Sequence, residues 1–152
     1  MDYDFSERQW DLLQHLPFQI FAIVAGADGT IDEKEVQRFR DQFARAEELD
    51  NDLHRDVLIS ASAQDLSRYV STSPSAIRNA YNAKAIVPWL REKLDPADYE
   101  AFILSLYRSA IDIARASGGG LFRSSISEEE KEALFVLADM FELEPEKFDA
   151  VH

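Results

Sequence analysis

The sequence predicts an all-α fold, a helical bundle of seven to eight helices, from three observations. Apolar residues recur at three- and four-residue spacing almost throughout. No stretch alternates between apolar and polar as a half-buried strand does, and only five glycines and five prolines punctuate 152 residues. With 46% apolar residues the chain is long enough to bury an ordinary core, so one domain spanning 1–152 is expected.

The elements follow in order from their start signals. Ser6 with Gln9 forms a capping box, a short polar residue answered three places on, and opens a helix over 6–14. Between Leu16 and Ala27 the chain is apolar on nearly every side, as in a helix enclosed by others, which predicts a second helix over 17–28. Asp32 with Glu35 repeats the capping box before a helix over 32–48, and another is expected over 51–64. Ser73 and Pro74 place a cap ahead of a first-turn proline, whose missing amide costs nothing there. The helix they open, over 74–94, is expected to bend or break at Pro88. Asp95 and Pro96 repeat the device for a helix over 96–116. There Tyr99, Phe102, Ile103, Leu106, Tyr107, Ala110, Ile113 and Ala114 fall on one face. Ser127 with Glu130 caps a helix over 127–142, and a short one over 145–150 ends the chain.

Charge narrows the function classes. The net charge is −13, and acids outnumber bases in 1–27, 28–56 and 127–149, whereas bases outnumber acids in 66–123. Such a surface repels nucleic-acid phosphates and anionic lipid and attracts cations or a basic partner, although acids also serve solubility alone. Arg78, Arg91, Lys93 and Arg108, near Tyr81 and Trp89, form at most a solvated basic face beside core aromatics. The absence of cysteine excludes disulfides, thiolate metal sites and thiol nucleophiles. The acidic N-terminus is unlike a secretory signal, and the longest apolar run, FAIVAGA, is far short of a bilayer span, so a cytoplasmic location is expected.

The stretch AGADGTIDEKEV carries the clearest chemical motif. Setting Gly29 at position 6 of a calcium loop puts Asp28 at 5, Thr30 at 7, Ile31 at 8, Asp32 at 9 and Glu35 at 12. Positions 1 and 3 then fall on Val24 and Gly26, which offer no side-chain oxygen. The same residues also make sense without an ion: Asp28 and Gly29 as a turn, and Asp32 with Glu35 as a cap worth about 1 kcal/mol. His15, His54 and His152 lack zinc-site spacing, and no serine sits in a nucleophile-elbow sequence. SGGGLFRSS lacks the lysine of a phosphate loop and reads as a flexible loop, with Leu121 and Phe122 either tucked into the core, the favoured reading, or standing out as an anchor for a partner.

The hairpin recurs. Phe18, Phe21, Val24, Ala25 and Ala27 align with Tyr107, Ala110, Ile113, Ala114 and Ala116. After a six-residue insertion, Ile31, Asp32, Glu33 and Glu35 align with Ile126, Ser127, Glu128 and Glu130. Two hairpins of the pattern Ala-x-Ala-Asp-Gly-x-Ile-x-x-x-Glu resemble the TerB-like family associated with bacterial tellurite resistance. The first copy matches throughout, at Ala25, Ala27, Asp28, Gly29, Ile31 and Glu35. The second keeps Ala114, Ala116, Gly118, Ile126 and Glu130 but has Ser117 in place of the aspartate. The resemblance implies an all-helical, non-enzymatic domain of the stress response, without catalytic or organic-cofactor residues. It implies a divalent metal ion held by acids of the paired turns, here Asp28, Asp32, Glu35, Glu128 and Glu130. The expected partner is that cation or a basic or membrane-associated protein, with no nucleic acid and no direct membrane insertion. Two other classes compete: a metal-assisted hydrolase with Asp28 and Glu35 as ligands and Glu130 as base, and a purely structural adaptor or homo-oligomer.

Overall fold

The computed structural model describes residues 3–27, 31–61, 84–117 and 128–143, and among them there are six α-helices, one 3₁₀ turn and no strand. The helices are α1 (Glu7–Ala25), α2 (Glu33–Ala44), α3 (Asp52–Ser60), α4 (Val87–Lys93), α5 (Pro96–Ser117) and α6 (Glu128–Met140), with the 3₁₀ turn at Ala46–Glu48. None of them is long and apolar enough to cross a membrane. The last predicted helix, over 145–150, and the SGGGLFRSS loop lie outside the described residues.

Two expectations need correction. The helices expected over 6–14 and 17–28 are one, because α1 runs through Pro17. A proline inside a helix costs roughly 3 kcal/mol. Here Leu13, Leu16, Phe18, Ile20 and Phe21 are all buried around it, and at roughly 1.5–3 kcal/mol for each such side chain their burial outweighs the proline. The helix expected over 32–48 ends at Ala44, and the chain tightens into the 3₁₀ turn. The helix expected over 74–94 is described from residue 84 on and breaks where expected: 84–85 are helical, Ile86 is a turn, and Pro88 stands in the first turn of α4, where it has no bond to break.

The core is organised around α5, which packs against each of the other five α-helices. The face expected from periodicity is buried in full: Tyr99, Phe102, Ile103, Leu106, Tyr107, Ala110, Ile113 and Ala114 are each at most 5% exposed. The α1–α2 pair is joined by phenylalanines. Phe39 of α2 stacks on Phe21 at 4.5 Å and meets Phe18 edge-on at 5.6 Å, while Phe43 reaches both Phe18 and Phe39.

At the other end of the molecule's core, α6 stops in a Schellman turn. The Leu143 amide donates to the Ala138 carbonyl and the Glu142 amide to that of Asp139, with Glu142 in the left-handed region at φ 55°. Two contacts tie this turn to the bundle. The Tyr99 hydroxyl donates to the Phe141 carbonyl at 2.7 Å, and Arg91, lying over the Tyr99 ring, pairs with Glu142 at 2.8 Å. Tyr99→Phe leaves that buried carbonyl without its donor and is expected to cost about 1–2 kcal/mol in chemical denaturation. An unchanged denaturation midpoint would mean that the hydrogen bond contributes nothing net.

A second polar group is embedded in the core. His54, the third residue of α3, is 1% exposed; its backbone amide is capped by Asn51, and its Nδ1 lies 2.6 Å from Ser105 Oγ of α5. Burial pushes the imidazole down from 6.5 to about 4. The unfolded chain therefore binds a proton that the fold refuses, so this contribution to stability is complete above pH 6.5 and is lost as pH falls toward about 4. The loss is on the order of 3 kcal/mol. His54→Gln, which cannot be protonated, is expected to lose less stability than the parent between pH 7 and about 4.5 in urea titrations; equal losses would assign the acid sensitivity to carboxylates.

Candidate functional site

The turn between α1 and α2 is set by close backbone approach. Gly26 caps α1, donating its amide to the Ala22 carbonyl at 3.0 Å while the Ala27 amide donates to that of Val24 at 3.3 Å, and a Cβ on residue 26 would lie 2.7 Å from the Ala22 oxygen. Glycine is needed here for space. On the far side of the turn Asp32 and Glu35 form the capping box expected from their spacing. Asp32 Oδ1 accepts from the Lys34 amide at 2.6 Å, and Glu35 Oε1 accepts from the Asp32 amide at 3.1 Å. Negative charge here also opposes the positive end of the helix dipole.

The two partners of this cap differ in environment. Asp32 and Glu33 are exposed, whereas Glu35 is 2% exposed. The first turn of α6 repeats the arrangement: Glu128 and Glu129 are exposed, and Glu130, again the third residue of its helix, is 3% exposed. Lys131 approaches Glu128 at 3.4 Å. Of the five acids assigned to a metal from the sequence, Asp32, Glu35, Glu128 and Glu130 are therefore placed, two at the surface and two enclosed. Asp28 and the predicted cap Ser127 lie outside the described residues. Among those residues, no group of three or more histidine, aspartate or glutamate side chains converges as a metal cage requires. Asp112 faces α2, paired with Arg38 and accepting from Gln42 at 3.2 Å.

Burial agrees position by position between the aligned hairpins. Phe18, Phe21, Val24 and Ala25 are buried, as are Tyr107, Ala110, Ile113 and Ala114, and both Ala27 and Ala116 are half-buried. The family model of the tellurite resistance protein TerB matches residues 18–152. The chain belongs to the TerB family. It is thus a helical domain associated with tellurite resistance, and the match takes in the latter part of α1 and all of α2 to α6. No curated protein and no solved structure matches it.

The TerB-family chain also carries features that its sequence did not announce. A groove of about 980 Å³ runs between α2 and α5, lined by Arg38, Arg45, Ser105, Arg108 and Asp112 among others. Its wall contains the Ser105 hydroxyl that meets His54 from 51 residues away in the chain, a separation at which no motif links them. Of the basic face weighed from the sequence, Arg91 engages Glu142, Lys93 engages Asp4, Arg108 lines the groove and Trp89 packs edge-on against Phe5, while Arg78 and Tyr81 lie outside the described residues.

The capping geometry generates a graded expectation. Asp32→Ala removes one cap acceptor at an exposed position and should cost about 1 kcal/mol. Glu35→Ala removes a cap acceptor and also empties enclosed volume, so its cost should be larger, roughly 2 kcal/mol or more. Thermal melts of both variants check the order, and equal effects would mean that burial of Glu35 adds nothing to its capping role.

Proposed function

We propose that this TerB-family protein is a non-enzymatic binding domain that uses the acidic first turns of α2 and α6 to recruit a cationic partner. The observation that carries the proposal is the shared design of the two turns. Each exposes two acids, Asp32 with Glu33 and Glu128 with Glu129, beside one enclosed glutamate, Glu35 or Glu130. The matching burial of the aligned positions supports reading the two hairpins as copies of one unit. On a chain of net charge −13, these turns add to a field that concentrates cations and repels phosphates.

Two kinds of cation suit such a surface. A basic segment of a protein partner needs exposed carboxylates in a row and tolerates the partial engagement of Asp32 and Glu35 by backbone amides. A divalent ion needs more oxygens than the described turn supplies, and in that form of the proposal Asp28, at the calcium-loop position beside Asp32 and Glu35, completes the set with Glu128 and Glu130. A hydrolase built on the same acids has no supporting observation in the described residues.

Melting curves of chelator-stripped protein with millimolar calcium, magnesium, manganese or zinc separate the two forms. The ion form predicts a rise of several degrees with one metal, by mass action, that Asp28→Asn abolishes. The protein form predicts no such rise. It predicts instead that a lysine- and arginine-rich peptide binds with an affinity that falls with salt and drops severalfold in the Asp32→Asn, Glu33→Gln, Glu128→Gln, Glu129→Gln variant. Metal-independent melting together with peptide binding unaffected by those substitutions would overturn the proposal.

A further inference from the structure

A pocket of about 500 Å³ opens between the residues preceding α1 and the C-terminal end of α3. Its wall is aromatic. Tyr3 stacks on Phe5 at 5.6 Å, Phe5 on Trp10 at 6.3 Å, and the Phe5 ring is held from another side by the edge of Trp89 at 5.8 Å. Opposite these rings stands Ile59, a large apolar side chain 54% exposed. Isolated exposed isoleucines are ordinary, but one beside a stacked aromatic wall gives a concave apolar surface of ligand size.

Among the described residues the charge of the pocket has one sign. Glu7 and Asp56 line it, and among those residues neither forms an ion pair and no lysine, arginine or histidine lines the pocket with them. Arg55, whose field reaches Tyr3, is held elsewhere by Asp52 and the Leu49 carbonyl. The Tyr3 hydroxyl reports the same potential. Burial, then the charges of Asp56 and Asp52, push it up to about 12, and its oxygen is enclosed without a hydrogen-bond partner.

Aromatic faces and carboxylates share one preference. The negative face of a ring attracts a cation, most strongly one with weakly held water, and a carboxylate adds its own field. A bare divalent ion, which asks for six or more oxygens, finds two carboxylates here, and an anion is repelled. We propose that this pocket binds an organic ammonium ion with an apolar body, its charge against the Tyr3, Phe5 and Trp10 rings within the field of Glu7 and Asp56, and its body over Ile59. The site uses none of the acids of the α2 and α6 turns and does not rest on the function proposed for them.

The probe is benzyltrimethylammonium, followed by tryptophan fluorescence, since Trp10 forms the wall and Trp89 contacts Phe5. A saturable change is expected in the low millimolar range or tighter. Glu7→Gln with Asp56→Asn should weaken it roughly fivefold or more, while Glu132→Gln, an exposed acid on α6, should leave it unchanged. On the unaltered protein, choline should produce the response and its neutral isostere 3,3-dimethyl-1-butanol should not, which keeps the test independent of any variant's folding. The proposal is overturned by an absent response, by equal binding of the neutral isostere, or by a Glu132→Gln effect as large as that of the pocket variant.

Discussion

The structure depends on the enclosure of α5. A helix that contacts all five of its neighbours must be apolar around most of its circumference, and α5 meets that demand with small as well as large side chains. Ala110 and Ala114 are fully buried on the same helix as the large buried side chains of Tyr107, Ile111 and Ile113, so short and bulky residues share its packed surface. Three polar side chains of the helix meet partners from other elements. Ser105 meets His54, Asp112 meets Arg38 and Gln42, and Tyr99 meets the Phe141 carbonyl. A buried polar group left without a partner costs as much as a good hydrophobic contact gains, and these pairings avoid that penalty.

The acidic turns hang on this scaffold and carry two demands at once. A helix start needs acceptors for its first amides, and Asp32 and Glu35 supply them. A cation-recruiting surface needs carboxylates in water, and Asp32, Glu33, Glu128 and Glu129 are exposed. The enclosed Glu35 and Glu130 stand between these roles, because each belongs to an acidic first turn while lying inside the fold. Acids in first turns are favoured by the helix dipole whatever else they do, so the fold itself stabilises the charge that the proposed function uses.

The surface away from the turns is differentiated. Arg38, Arg45 and Arg108 line the groove between α2 and α5 together with Asp41, Glu48 and Asp112, whereas aromatic rings gather with Glu7 and Asp56 around the pocket between the start of α1 and the end of α3. A net charge of −13 therefore does not describe one uniform exterior. It is the sum of regions with different preferences, and each region is assembled from at least two separate helices or chain segments.

Much of the helical frame was legible from residue order, because its causes are local. Periodicity identified the buried face of α5 residue by residue, and the capping boxes at Ser6 and Asp32 formed as their three-residue spacing required. The family motif was legible for the same reason, being confined to two short hairpins. Locality failed where packing set the outcome. Pro17 signals an interruption in sequence but is absorbed by the apolar surface closing around it, whereas the break expected at Pro88 does form, at Ile86. The sequence by itself determined helices, caps, charge and family, since each is encoded within a few turns of chain. Tertiary structure alone decided which acids are enclosed, that His54 finds Ser105, and that Tyr3, Phe5 and Trp10 meet Asp56 and Ile59, because these neighbours come from elements distant in the chain and are brought together only by burial of the common core.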